Sequence, residues 1–358
     1  MSHSSGGRSP DGHAGPPLRV AVVGAGMIGH VHAEVVSSLR GVATLAAVVD
    51  SDVRTASRVA ARHGTEALTS LAEVCARPDI DVVSICLPSG AHAAAAIPAM
   101  RAGKHVVIEK PIDITLEAAD ALIRAERETG VVATVISQRR FQHAPAFLHR
   151  AVRSGELGRI TSGVAVSPFW RTQEYYESGS WRGTKQLDGG GALMNQGIHV
   201  LDLLIWLLGE PVEVQAYAGL LAHRDLQVED TAAAVIRFAG GAVATILATT
   251  AAYPDLPVRL SIHGADGSAV LDADALQFFH ARAREGAAPD KADQTASLLP
   301  GRGVSALDDA LRDQYLDLSA AIATGKAPSI TTADGRRALA TVLAIYESAA
   351  TGRAVAVR

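Results

Sequence analysis

From Leu18 onward, short apolar runs alternate with longer amphipathic stretches. LRVAVVG precedes a helix to about Arg40, and ATLAAVVD precedes another through Ala60. IDVVSICLP leads to a helix over Ala91–Ala102, HVVIE to one over Leu116–Thr129, and VVATVIS closes the series. Runs that are apolar on both faces and separated by helices predict a parallel sheet covered on both sides. Five or so such units make a doubly wound α/β domain over residues 18–137.

After Ser137 the pattern changes. A helix is expected over Ala144–Ser154, then a loop rich in aromatics and glycines, then a helix over Gly197–Leu208. Strands follow without helices between them: VEVQAYAG, TAAAVIRFAG, AVATILATTAA, RLSIHGAD and SAVLDAD. Consecutive strands of this kind predict a mostly antiparallel sheet in a second domain, residues 138–358. Ala281–Val304 reads as a long loop, and Leu307–Ala323 and Asp334–Ala350 as helices. Residues 1–17 are small, polar and broken by Gly and Pro, which predicts a flexible tail.

The length of 358 residues agrees with two domains, and an apolar content of 48% excludes general disorder. A net charge of −4 offers no polyanion-binding footprint, so no nucleic-acid partner is expected. No apolar run approaches the roughly 20 residues that span a bilayer. Without a membrane segment or a secretory leader, the expected location is the cytoplasm. Two cysteines, Cys75 and Cys86, make no disulfide framework, and no metal-ligand spacing is present.

Gly24-Ala25-Gly26-Met27-Ile28-Gly29 follows the first strand and opens a helix. Glycines at this spacing allow a tight turn and close backbone approach to a pyrophosphate held at the helix N-terminus. Asp50 ends the second strand 21 residues after Gly29, where an acid accepts hydrogen bonds from the adenosine ribose. Gly24, Gly26, Met27, Ile28, Gly29 and Asp50 are thus candidate contacts of a dinucleotide. Asp50 and Asp52 put negative charge where NADP would bring a phosphate, which favours NAD; Arg54 keeps NADP as the lesser alternative. The carboxyl edge of the sheet adds Leu87 and Pro88, together with Glu109 and Lys110 after the fourth strand. His92, one turn beyond Pro88, reads equally as a cofactor contact and as a packing residue.

Glu109-Lys110-Pro111, the glycine turn and the later GGGALMNQGIHVLD together resemble the Gfo/Idh/MocA family, the relatives of glucose–fructose oxidoreductase and inositol dehydrogenase. The similarity runs from about Leu18 to Arg358 and includes VEDTAAAVIRF, IHGADGSAVLD and SAATGRAV. It implies a Rossmann domain that binds NAD and a C-terminal α/β domain with a large open sheet, through which subunits pair as a homodimer or homotetramer. It also implies a catalytic Lys110 with a cis bond to Pro111, and an active-site His199 with Asn195 on the same side of its helix. Inositol dehydrogenases of the family often carry aspartate where this chain has Asn195. Asparagine bonds without adding charge, which puts inositol in doubt as the substrate. The MNQGIH text, with WRGT upstream, looks more like the branch acting on nucleotide sugars and other substituted sugars.

Of the 15 Phe, Trp and Tyr residues, five fall between Phe169 and Trp181. Trp170, Tyr175 and Trp181, with Arg182, suit the apolar faces and hydroxyls of a pyranose; a subunit interface would use the same residues. The expected activity is NAD-dependent hydride transfer at a secondary alcohol or ketone of a sugar, cyclitol or sugar derivative. His199 or Lys110 is its base. An NAD-dependent redox glycosidase and a non-catalytic NAD-binding regulator are the alternatives.

Overall fold

The alternating text of the first 137 residues becomes six parallel strands: β1 (Leu18–Val23), β2 (Ala43–Val49), β3 (Glu66–Leu68), β4 (Val82–Ile85), β5 (His105–Ile108) and β6 (Ala133–Val135). Their order is β3-β2-β1-β4-β5-β6 in a computed structural model. It describes residues 16–282 and 305–358, so most of the expected tail and of the expected 281–304 loop lies outside the described residues. The chain reverses its direction of travel across the sheet between β1 and β4, the place where doubly wound folds hold ligands. Helices α1 (Met27–Ser38), α2 (Val53–His63), α3 (Leu71–Ala76), α4 (His92–Arg101) and α5 (Leu116–Thr129) connect the strands. The three-residue β3 and the single-turn-scale α3 are additions to the sequence reading, too short to show a period.

This first unit holds the described residues up to Asp113, Glu117–Ile136 and also Leu311–Gly335. The sequence-based division at residue 137 has no such return. The returning segment holds most of a helix over Ser305–Thr324, numbered α9, and the start of the helix that follows it. Leu311, Tyr315 and Leu318 of α9 complete an apolar layer with Val35 and Val36 of α1, and Leu39 just after it, over Val20, Val82 and Val107 of the sheet. Ala33 of α1 packs with Val59 and Ala60 of α2 in a smaller cluster.

The second unit holds Ile114–Leu116, the described residues of Ser137–Ala310, and Arg336–Arg358. Its strands are β7 (Ile160–Pro168), β8 (Pro211–Gly219), β9 (Thr231–Phe238), β10 (Val243–Thr249), β11 (Arg259–Gly264), β12 (Gly267–Asp272), β13 (Ala275–Ala281) and β14 (Val355–Ala356). They form one sheet in the order β13-β12-β11-β7-β10-β9-β8-β14. The pairing is antiparallel except between β7 and β10. Helices α6 (His143–Arg153), α7 (Gln173–Glu177), α8 (Ile198–Leu208) and α10 (Thr332–Thr351) complete the set.

Strand β7 is absent from the sequence reading for a packing reason. Its buried positions are Gly163, Ala165, Ser167 and the final Pro168, which give no alternation of large apolar residues to detect. They are small because α8 lies close: a Cβ on Gly163 would stand 2.9 Å from a Leu204 methyl. Strand β13 lies just before the expected loop and is the other substantial addition.

Candidate active site

The glycine turn of the first unit divides its work among three positions. Gly24 has φ +96°, and a Cβ there would lie 2.4 Å from the Cys86 carbonyl oxygen. A Cβ on Gly29 would lie 1.7 Å from the Gly24 oxygen, so strand and helix approach as closely as backbones allow. Nothing lies within 4 Å of the position a Gly26 Cβ would take. Gly26, Met27 and Ile28 are exposed at the start of α1, with Met27 76% accessible. This is the shape that admits a pyrophosphate to the positive end of a helix. The Asp50 carboxylate accepts hydrogen bonds from Ala25 N–H (2.9 Å) and Asp52 N–H (3.0 Å), which fixes it beside the turn. Asp52 caps α2 and pairs with Arg54 at 3.6 Å, so that arginine is held by an acid. A cavity of about 390 Å³ opens beside Gly26 and Met27, with His30, Arg58 and Arg62 on its wall. Sequence reasoning missed these three groups: His30 directly follows Gly29, and Arg58 and Arg62 come from α2, outside the motif.

Along the same edge, Leu87 and Pro88 are partly exposed after β4. His92 is 1% accessible, and its two ring nitrogens meet the carbonyl oxygens of Leu87 (2.9 Å) and Pro111 (2.7 Å). It clamps one loop to the next, and burial pushes its pKa below the ordinary value. Lys110 is half-buried, and its bond to Pro111 is cis. The Glu109 carboxylate is buried between Lys110 N–H (3.0 Å) and His32 Nε2 (3.1 Å).

In the second unit, helix α8 is preceded by a wide π-type turn over Leu193–Gly197, so helical text begins four residues before the expected start. Such turns are frequent at functional sites. Between Gly191 and Ile205, Asn195 and His199 are the two residues that are not buried. Both of the expected residues are thus partly accessible on a segment that is otherwise buried. Glu229 builds the start of this segment. It accepts hydrogen bonds from Gly191 N–H, Leu193 N–H and the Tyr346 hydroxyl, each at 2.9 Å. A side chain on Gly191 would lie 1.7 Å from the Glu229 carbonyl oxygen, so only glycine fits there. Burial raises the Glu229 pKa while those donors oppose the rise.

Asn195 donates through Nδ2 to Asp188 (2.7 Å) and to the Gly190 carbonyl (3.1 Å). Asp188 is itself buried and accepts from Gly183 N–H at 2.7 Å. The negative charge absent from position 195 is thus present next to it. Asp202 is bound at both oxygens by Arg140, at 2.8 and 2.6 Å. Asp188, Glu229 and Arg140 carried no sequence signal of their own.

The aromatic loop gathers around arginines. The Arg182 guanidinium lies 4.3 Å from the Tyr175 ring and 4.6 Å from the Trp181 ring, and it donates to the Tyr175 hydroxyl at 2.6 Å. Arg171 stands 5.2 Å from Tyr175 and 5.3 Å from Phe169. Trp170 packs edge-on against Tyr253 at 5.4 Å. Trp170, Tyr175, Trp181 and Arg182 all remain partly accessible, whereas Tyr176 is buried and bonded to Thr250. Among the described residues, no cluster of His, Cys, Asp and Glu could hold a metal ion, and no helix is long and apolar enough to cross a membrane.

Comparison with known proteins agrees with this geometry. Residues 18–137 match the family described as oxidoreductase, NAD-binding Rossmann fold, and residues 146–270 match the GFO/IDH/MocA C-terminal domain. A UDP-N-acetylglucosamine 3-dehydrogenase of Acidithiobacillus ferrooxidans is 31% identical over 92% of this chain and 96% of its own length. A levoglucosan dehydrogenase of Pseudarthrobacter phenanthrenivorans is 29% identical over 71% of this chain and 73% of its own. Among solved structures, the WlbA dehydrogenase of Bordetella pertussis in complex with NADH and UDP-GlcNAcA superposes with a TM-score of 0.84. It is 29% identical and covers 96% of this chain and 99% of that one.

Proposed function

Because the chain belongs to the GFO/IDH/MocA family of NAD-binding oxidoreductases, we propose that it oxidises a ring secondary alcohol of a sugar, with nucleotide sugars as the preferred class. The observation that carries this reading is the pair Asn195 and His199, accessible on an otherwise buried segment that Glu229 pins. Gly24, Gly26, Gly29 and Asp50 would hold NAD, which when bound supplies the two-electron acceptor for turning an alcohol into a ketone.

His199 takes the hydroxyl proton. Free histidine titrates near ~6.5, so it serves as a base at neutral pH, whereas lysine at ~10.4 needs its pKa lowered first. Lys110, as an ammonium, stabilises the negative charge that develops on the same oxygen. Asn195, its amide held by Asp188, orients the hydroxyl. The proton moves to His199 and the carbinol carbon becomes a carbonyl.

The nucleotide-sugar preference is supported by the near full-length match to a UDP-N-acetylglucosamine 3-dehydrogenase. The arginine–aromatic group of Tyr175, Trp181 and Arg182 supports it too, since it offers flat apolar faces beside fixed positive charge. A homo-oligomer is supported by the outward face of the second sheet, where Val164, Val235, Val243 and Leu247 are 39–44% accessible. A flat apolar sheet face of this kind fits a second copy of the chain. Two free thiols, Cys75 and Cys86, suit a cytoplasmic setting.

The test is a panel of sugars, cyclitols and nucleotide sugars incubated with NAD and the protein. NADH appearing with an equal amount of ketone supports the reading. Glycosidic cleavage without net NADH would instead identify a redox glycosidase, and no turnover of any member would contradict it.

A further inference from the structure

The first unit contains a buried polar chain that the activity has not yet used. His32 of α1 is fully buried. Its Nε2 lies 3.1 Å from a Glu109 oxygen, and its Nδ1 lies 2.8 Å from the Tyr315 hydroxyl and 2.9 Å from Ser84 Oγ. Tyr315 comes from α9, some 280 residues away in sequence. Its hydroxyl donates to Ser84 Oγ at 2.9 Å, and Ser84 in turn meets Cys86 Sγ at 3.6 Å.

The donors and acceptors order this chain. A carboxylate only accepts, so His32 Nε2 must carry a proton. The Tyr315 proton is directed at Ser84, and His32 Nδ1 meets the oxygens of both hydroxyls. Through its Nε2–H, His32 is bonded to the Glu109 carboxylate. An ionised glutamate at 5% accessibility is costly unless it is paired and hydrogen-bonded in this way. The second Glu109 oxygen accepts from the Lys110 backbone N–H at 3.0 Å.

We propose that His32 and Tyr315 are positioning residues for Lys110, acting through the Glu109 carboxylate. The inference rests on the reading of Lys110 as the cation that serves the reacting oxygen. The chain Tyr315–His32–Glu109 fixes the peptide plane that enters Lys110, and its anion one residue away favours the charged ammonium. Other titratable groups face the pair. Cys86 lies at the end of β4, and His92 comes from α4 with Asp113 beside it. Burial works against the His32 cation, but Cys86, Tyr315 and Glu109 outweigh it and hold its pKa well above the ordinary value. Nothing in the sequence marks this chain, because a histidine inside an apolar helix and a tyrosine in a distant one read as packing.

Glu109→Gln, His32→Gln and Tyr315→Phe test it in the full-length protein. Turnover should fall roughly three- to tenfold in Tyr315→Phe, the worth of about one hydrogen bond. In Glu109→Gln the pH dependence of turnover should move to lower pH by about one unit, as the charge favouring the Lys110 ammonium is lost. A merely structural role would lower thermal stability and leave that profile in place. A second readout needs no substrate. The chain has five lysines, so ¹⁵N-lysine labelling gives few signals in which to follow the Lys110 amide. Its proton resonance should move upfield in Glu109→Gln, and in His32→Gln it should titrate as Glu109 takes up a proton. A Lys110 amide unchanged in all three variants overturns the proposal. If the wild-type protein turned over no sugar at all, the functional reading would fall, and the amide resonance alone would still decide this one.

Discussion

At Asp50 one carboxylate does two things. It accepts the N–H groups of Ala25 and Asp52, and in the proposed reading it also accepts the ribose hydroxyls and repels a 2′-phosphate. Asp50→Ala removes the ribose acceptor together with the repulsive charge. NAD affinity should therefore fall, by on the order of tenfold for one lost charged hydrogen bond, and the margin over NADP should narrow. Dissociation constants for both nucleotides, measured by calorimetry, check this; wild-type binding of NADP as tight as NAD would contradict it. Position 195 shows a different lesson. Its amide is bonded to Asp188 at 2.7 Å, so an aspartate there would face a second carboxylate and one of the two would keep a proton. The glycine turn, Lys110 and His199 could be proposed from the sequence because each sits in a short contiguous motif, and Asp50 because it ends the next strand at a set distance. Asp188, Glu229, His32 and Tyr315 were not, since each takes its meaning from partners brought together only by folding.

Among the elements, the segment entering α8 depends most on one side chain. Glu229 satisfies two backbone N–H groups at the start of the π-type turn and the Tyr346 hydroxyl. Glu229→Ala leaves these donors buried without their acceptor and should cost on the order of 2–3 kcal/mol in chemical denaturation. A loss below a few tenths would show that water replaces the carboxylate. Helix α6 meets α8 through His149, stacked on Trp206 at 3.8 Å with planes 9° apart. Burial first, then Arg153, Arg140 and Arg150, push the His149 pKa from 6.5 down to about 4. The unfolded chain binds this proton more readily than the folded one, so stability is full above pH 6.5 and falls as pH drops toward 4. His149→Gln should flatten the melting temperature across that window; equal slopes for variant and wild type would contradict the assignment. The strand pattern was readable in β9 and β10, where Ile236, Phe238 and Ile246 mark the buried face among alanines. It failed at β7, whose buried face is made of glycine, alanine and serine beneath α8.

The whole molecule divides into two units whose boundary the sequence pattern placed near residue 137, while Leu311–Gly335 groups with the nucleotide-binding unit. No periodicity announces such a return, because α9 is an ordinary amphipathic helix until its neighbours are known. For assembly, light scattering at micromolar concentration should give a multiple of 37.1 kDa. Leu247→Arg, which puts a charge on the exposed sheet face, should shift the protein toward the single-chain mass; a wild-type monomer would contradict a paired sheet. The activity of the chain turns on its proton acceptor, and the most direct measurement is turnover of His199→Ala with a sugar that the wild type oxidises, read as NADH formation beside the NAD dissociation constant. The account predicts a loss of roughly 10²–10⁴-fold, the usual worth of general base catalysis, with NAD affinity unchanged. Near-normal turnover in His199→Ala would contradict it and pass the proton to Lys110.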